Sequence, residues 1–188
     1  FCDQLRAAGK QILEHAPADN LDRAEGFRYL SRLTSHALGR FSERPNPMRP
    51  SISYSSPRIG GDNPDFLYGS CTISGQQEYL IRGHRHEALN IGIGSYYGGL
   101  GAGKGLQCAG YLLLSELEVN TDGSFEIQVS QTEKAGNWLP MVAECNSLLI
   151  RQTVLNRGVD VAADLQVSCL AEPEQNQPVP VLPPQAFE

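Results

Sequence analysis

Asn120-Thr-Asp-Gly-Ser-Phe-Glu-Ile-Gln-Val-Ser130 carries the periodicity that decides the fold. Phe125, Ile127 and Val129 alternate with Ser124, Glu126 and Gln128. An extended chain with that pattern has one apolar and one polar face, the mark of a half-buried strand. The preceding Asn-Thr-Asp-Gly is a turn signal, because Asn, Asp and Gly favour the left-handed and side-chain-bonded conformations that tight turns need. Similar short runs recur at 51–55, 66–73, 77–82, 87–96, 110–119, 147–155 and 163–170. Ser74-Gly75 and Gly83-His-Arg-His86 read as further hairpin turns between them. Eight short strands at this spacing predict an antiparallel sandwich or barrel, not a βαβ fold.

Upstream the period is different. Leu5, Ala8, Ile12 and Leu13 recur at helical spacing until Pro17. Asp19 and Asn20 offer an N-cap for a second helix over about 21–41, with Phe27, Leu30, Leu33, Ala37 and Phe41 on one stripe. Glu25 and Arg28 are spaced for a stabilising pair on its surface. Gly26 inside it costs about 1 kcal/mol relative to Ala, which a close neighbour would explain. Glu43-Arg-Pro-Asn-Pro-Met-Arg-Pro50 has prolines at 45, 47 and 50 and reads as an extended connector. The last stretch, 172–188, holds five prolines and no period. The expected organisation is a helical arm over 1–44, a β domain over 45–170 and a Pro-rich tail or linker over 171–188. The start at Phe1 without Met suggests a piece of a longer protein.

Composition narrows the partners. The 188 residues carry 15 Lys+Arg against 21 Asp+Glu, a net charge of -6, which argues against nucleic acid or an anionic membrane as the main partner. No run of about 18 apolar residues is present to span a bilayer. The five cysteines form no CxxC pair, and all but Cys2 sit in or beside apolar segments. They read as small buried hydrophobes in a reducing, cytoplasmic compartment.

Several motifs imitate chemistry. Gly98-Gly-Leu-Gly-Ala-Gly-Lys104-Gly105 has phosphate-loop spacing, but Gly105 stands where magnesium binding needs Ser or Thr, and a strand follows instead of a helix. It reads as a surface loop, and no cofactor is expected. His84-Arg-His86-Glu87 would place two imidazoles on one face of a strand, with Asp62 or Glu116 as the carboxylates a metal would still need. No His follows His86, so a polar turn is the simpler reading and no metal is expected. His15 and His36 read as surface residues of the helices. Arg151 interrupts the apolar run Leu148-Leu-Ile-Arg-Gln-Thr-Val154. It either faces solvent, pairs with Asp62, Asp65 or Glu126, or holds an anionic ligand. Trp138, the one Trp, reads as a core plug or a stacking platform. No Gly-x-Ser-x-Gly elbow is present.

Six segments carry a resemblance as a set: Asp22-Arg-Ala-Glu-Gly-Phe-Arg-Tyr-Leu-Ser-Arg-Leu33, Gly61-Asp-Asn-Pro-Asp65, Tyr79-Leu-Ile-Arg-Gly83, Asp122-Gly-Ser-Phe-Glu-Ile127, Gly136-Asn-Trp-Leu-Pro140 and Leu149-Ile-Arg-Gln-Thr153. Over 21–157 the chain resembles the bacterial family called domain of unknown function 1214. The resemblance implies a β-sandwich of jelly-roll type preceded by helices, and members that continue beyond this chain's end. It implies no reaction, and the glycine loop at 98–105 departs from it.

The reading that follows is mainly β: an antiparallel β-sandwich of jelly-roll type with an N-terminal helical arm. Its function is expected to be binding of a small-molecule or carbohydrate-like ligand, as an accessory domain. Asp62, Arg82 and Arg151 would be polar anchors and Trp138 a platform. The alternatives are an enzyme using His84, His86 and Arg151, or a structural domain that self-associates through the helical arm.

Overall fold

The computed structural model describes residues 1–42, 45–54, 63–99 and 103–171. Asp62, residues 100–102 and the tail beyond Ala171 lie outside them. The chain forms two compact units, one containing Phe1–Arg44 and the other Pro45–Glu174.

The first unit is a helix pair, α1 (Cys2–His15) and α2 (Asn20–Ser42). Asp19 caps α2, its Oδ1 accepting from the Leu21 and Asp22 amides at 2.7 and 3.3 Å. Gly26 does have a close neighbour. A Cβ there would lie 2.8 Å from Ile12 Cγ2, and one on Gly9 would lie 3.3 Å from the Phe27 ring. Each helix thus offers a glycine to the other's bulky side chain. Leu13 falls off the stripe and is exposed.

The second unit contains β1 (Phe66–Thr72), β2 (Tyr79–His84), β3 (Ile91–Gly98), β4 (Leu106–Leu113), β5 (Ser124–Ser130), β6 (Trp138–Pro140), β7 (Cys145–Thr153) and β8 (Asp164–Cys169). They make two four-stranded sheets, β1-β7-β3-β4 and β6-β5-β2-β8. Tyr79, Ile81, Phe125, Ile127, Val129, Leu139 and Val167 from one sheet share a single buried cluster with Cys71, Ile91, Ile93, Leu148 and Ile150 from the other. The chain is therefore mainly β, with two N-terminal helices.

The pairing is mixed rather than purely antiparallel, because β6 runs parallel to β5. The connector from Ser130 must double back to make this possible. Gly136 turns it at φ +75, and Asn137 pins it. The Asn137 amide donates to the Glu118 and Glu126 carbonyls at 2.9 Å each, and its Oδ1 accepts from the Glu118 N–H at 2.7 Å. Sequence reading takes this stretch for a loop and misses β6. The 51–55 segment makes only one bridge, Ser53 to Ser70, and 114–119 leaves β4 through a short 3-10 turn.

The expected hairpins also need correction. The turns at Ser74-Gly75, 83–86 and 120–123 connect strands that lie in different sheets, so they are corners. Gly75 shows why: its N–H donates to Cys145 O at 2.7 Å, tying the corner to a distant strand. Among the consecutive strands, β3 and β4 pair antiparallel, and the glycine loop imitating a phosphate cradle joins them. Gly98 and Gly105 flank that loop at φ +81 and +72.

Two devices close the sheet edges. On one side Gly110 of β4 lies against Pro140 of β6, where a Cβ would meet Pro140 Cγ at 2.6 Å. On the other, Met48 touches Cys169 of β8 at 4.0 Å, and Ser53 bridges to β1. The stretch from Met48 to Ser53 thus runs from one sheet to the other.

Candidate functional site

The outward face of the β6-β5-β2-β8 sheet is polar by the same alternation that makes its inner face apolar. Register puts Ser124, His84 and Asp164 in one row across the strands, then Glu126, Arg82 and Gln166. The next row is Trp138, Gln128, Leu80 and Ser168. Two depressions draw part of their lining from this face. One, of about 360 Å³, is lined by Tyr54, Arg82, His84, Asp164 and Gln166 among others. The second, of about 440 Å³, is lined by Leu80, Glu118, Glu126, Gln128, Asn137 and Leu170 among others. Arg82 Nε donates to Glu126 Oε1 at 2.7 Å, so an ion pair spans the strip between them.

The first depression is shaped from the core. Gln152 is fully buried, and its amide nitrogen donates to Ala163 O at 3.1 Å and to the Tyr54 hydroxyl at 3.2 Å. Its Oε1 accepts from the Ala163 N–H at 2.7 Å. One side chain thus fixes two wall residues of the depression. Burial pushes the Tyr54 hydroxyl pKa up, although the Gln152 hydrogen bond works against it.

The two histidines brace the turn after β2. His84 Nδ1 accepts from the His86 N–H at 3.0 Å, so Nε2 carries the proton and donates to Asp122 O at 2.7 Å. Neither nitrogen is left to take a proton from a substrate. His86 adopts φ +46, and its Nε2 donates to Asp164 Oδ2 at 2.8 Å. The ring centroids lie 4.2 Å apart. Nearby, the Ser124 hydroxyl and N–H bond the Asp122 carboxylate and hold its pKa below the ordinary value. Among the described residues, no group of three or more His, Cys, Asp or Glu is arranged to hold a metal.

Arg151 is not part of this site. It projects from β7 on the outer face of the other sheet, registered beside Tyr68 and Gly92. Its Nη1 donates to the Tyr96 hydroxyl at 3.1 Å. Glu126, one of its expected partners, pairs instead with Arg82, and no carboxylate among the described residues pairs with Arg151. The expected catalytic trio His84, His86 and Arg151 is therefore split between two sheets. Of the expected anchors, Arg82 and Trp138 share a face, Arg151 is opposite, and Asp62 lies outside the described residues. Trp138 is half-buried on β6 and is not a core plug. Its indole N–H donates to Ser130 O and Oγ at 3.3 and 3.1 Å.

Sequence reading passes over Tyr54, Gln128, Gln152 and Gln166. The signal was present for three of them: once Phe125, Ile150 and Val167 are placed inward, alternation sends Gln128 and Gln166 out and Gln152 in. The thiols also divide more evenly than expected. Cys71 and Cys145 are buried and Cys169 half-buried, but Cys2 and Cys108 are exposed.

The fold and site define a mainly β protein with two N-terminal helices and a polar two-part trough on one sheet. Among solved structures, an uncharacterised protein from Burkholderia cenocepacia is similar, with 40% sequence identity and a TM-score of 0.85. The match covers 100% of this chain and 52% of that one, so the chain spans about half the length of that protein. No family model matches the chain, and no curated protein matches it.

Proposed function

We propose that this chain is a ligand-binding or accessory domain whose outer β6-β5-β2-β8 face takes a small polar, carbohydrate-like molecule. The observation that carries this reading is the pair of depressions, about 360 and 440 Å³, lined in part by the outward residues Arg82, Gln166, Glu126 and Gln128 of one sheet. Hydroxyl-rich ligands are held by planar side chains that donate and accept in fixed directions, and Gln166, Gln128, Arg82 and Glu126 stand in register there. The net charge of -6 suits a neutral ligand better than a polyanion. No described helix is long and apolar enough to cross a membrane. The enzyme reading is weaker, because His84 has both nitrogens engaged and Arg151 projects from the other sheet.

The β unit reads as a variant of the jelly roll. Its chain changes sheet from β1 to β2, β2 to β3, β4 to β5, β6 to β7 and β7 to β8, as jelly-roll chains do. Its departures are the β3–β4 hairpin and the β5–β6 connection, each within one sheet. Kinship with domain of unknown function 1214 stays with the six motif segments, and a cytoplasmic location with the five free thiols. Self-association through the helical arm draws on the exposed Leu13, Leu21, Phe27 and Leu38.

A thermal-shift screen of the full chain against mono- and oligosaccharides, sugar acids and steroids tests the binding reading. A ligand at 100 times its Kd stabilises by about 2.7 kcal/mol, which for a chain this size raises Tm by roughly 5–11 °C. We expect a saturable rise with a polyhydroxylated ligand that Arg82→Ala or Gln128→Ala abolishes. A screen without hits, or a hit indifferent to both substitutions, overturns the assignment.

A further inference from the structure

The other sheet's outer face holds an arrangement that the trough does not use. In β3, Gly92 and Gly94 sit outward at the centre of the sheet, flanked by β7 and β4. Glycine inside a strand gives up packing and entropy, and commonly marks a place where another group approaches closely. Here that group is Tyr111. A Cβ on Gly94 would lie 2.8 Å from Tyr111 Cδ2, and one on Gly92 would lie 2.7 Å from its Cζ. The ring rests across both glycines and is still 40% exposed.

Beside it stands Arg151. Its Cζ lies 5.9 Å from the Tyr68 ring centroid and 5.9 Å from that of Tyr96. The guanidinium is held between two aromatic faces near the outer limit of a cation–π contact. Burial alone would lower its pKa, but the Tyr96 hydroxyl and the neighbouring Tyr111 outweigh that and keep it above its usual value. A guanidinium has five N–H donors; the Tyr96 hydroxyl takes one, the Tyr111 hydroxyl also bonds to it, and the rest are left over. Among the described residues no carboxylate pairs with it, and a cation partly withdrawn from water is suited to a carboxylate that completes it. Leu149 and Leu113 sit on the same face, in the rows of Gly94 and Gly92. The surroundings of the charge are thus apolar and aromatic.

We infer that this face is a second binding site, for a small aromatic carboxylate. The carboxylate takes the open edge of the Arg151 guanidinium and the attached ring stacks on Tyr111. The site is independent of the trough: it uses the opposite sheet and a charged ligand where the trough takes a neutral one. A single arginine among rings favours an amphiphilic monoanion over inorganic phosphate, which would leave the aromatic floor unused and bring more charge than one guanidinium meets.

Titration calorimetry of the full chain with benzoate, benzamide and inorganic phosphate tests this. Benzoate is expected to bind saturably. Benzamide has the same shape without the charge, and phosphate has charge without a ring; each should bind at least about tenfold more weakly, since losing one charge-assisted pair or one stacked ring is worth that much. Arg151→Gln should weaken benzoate by about tenfold or more with near-UV circular dichroism unchanged, and Tyr111→Leu, which removes the stacking ring along with its contact to Arg151, should weaken it too. Arg82→Gln should leave it unchanged. Absence of benzoate binding at tens of millimolar overturns the inference. So does equal binding of benzoate and phosphate, or an Arg151→Gln protein that binds benzoate as the parent does.

Discussion

Replacing Gln152 by Leu separates the amide's hydrogen bonds from its bulk. The two side chains are of similar volume, so no cavity opens. The substitution removes the bonds to Ala163 O, to the Ala163 N–H and to the Tyr54 hydroxyl, at 3.1, 2.7 and 3.2 Å. Ala163 is only 5% exposed, so its N–H and C=O are orphaned away from water. Each orphaned group costs about 1–3 kcal/mol, and the buried Leu side chain returns about 1.5–3 kcal/mol. The balance is a loss of about 1–3 kcal/mol, or a fall in Tm of roughly 2–12 °C for a chain of this size. Urea unfolding followed by the single Trp138 measures it directly. With a slope of about 2 kcal/mol/M, the midpoint should fall by about 0.5–1.5 M at unchanged slope. Because Tyr54 and Ala163 both line the first depression, the same variant should lose ligand affinity there. A midpoint within about 0.2 M of the parent would refute the reasoning, since the amide would then hold nothing that water could not.

Three further outcomes follow from other parts of the core. Gly83→Ala puts a Cβ 2.5 Å from Phe125 Cζ and 2.7 Å from Leu165 Cδ2; overpacking of this kind should cost about 1–3 kcal/mol in urea unfolding, and a neutral result would mean the Phe125 ring yields freely. Alkaline pH should destabilise the fold. Burial pushes the Cys71 thiol up to about 11 and the Tyr79 hydroxyl up to about 12, so both stay protonated in the folded chain where the unfolded chain releases its protons. Their contribution is complete below about pH 9 and is lost as pH rises towards 12; a urea midpoint flat across that window would contradict it. Finally, thiol titration of the native protein should find Cys2 and Cys108 reacting promptly and Cys71 and Cys145 only on unfolding, which mass mapping of the labelled residues checks.

The strands were legible where alternation was clean. The 124–130 run is β5 to the residue, and 66–73 overshoots β1 by one. Alternation is a local property that depends only on which way each side chain points. What it does not carry is the partner. Ser74-Gly75 has the composition of a hairpin, yet it is a corner because Gly75 bonds Cys145, about seventy residues downstream. The parallel strand β6 was invisible for a related reason. Three residues are too few to show a period, and their pairing depends on Asn137 reaching two carbonyls from separate segments. The site was read less well than the fold. Arg151 and the histidines stood out because charge in an apolar run draws the eye, whereas the buried amide beside Arg151 does more to build the depression. Period-2 counting through Leu148 and Ile150 would have sent Gln152 inward and Arg151 outward, to a different face from Arg82.

The Arg82–Glu126 pair between the two depressions has both side chains about 60% exposed, and such a pair contributes only about 0–1 kcal/mol to stability. It is therefore a partition that opens at little cost. Under the proposed binding role, a compact guest would lodge on one side and leave it closed. A longer guest would have to straddle it, trading the ion pair for its own hydroxyls against the freed guanidinium and carboxylate. Chain length of the guest, more than its stereochemistry, then sets which compounds respond to salt. Raising ionic strength loosens the partition and favours the long ones, and leaves the short ones nearly indifferent.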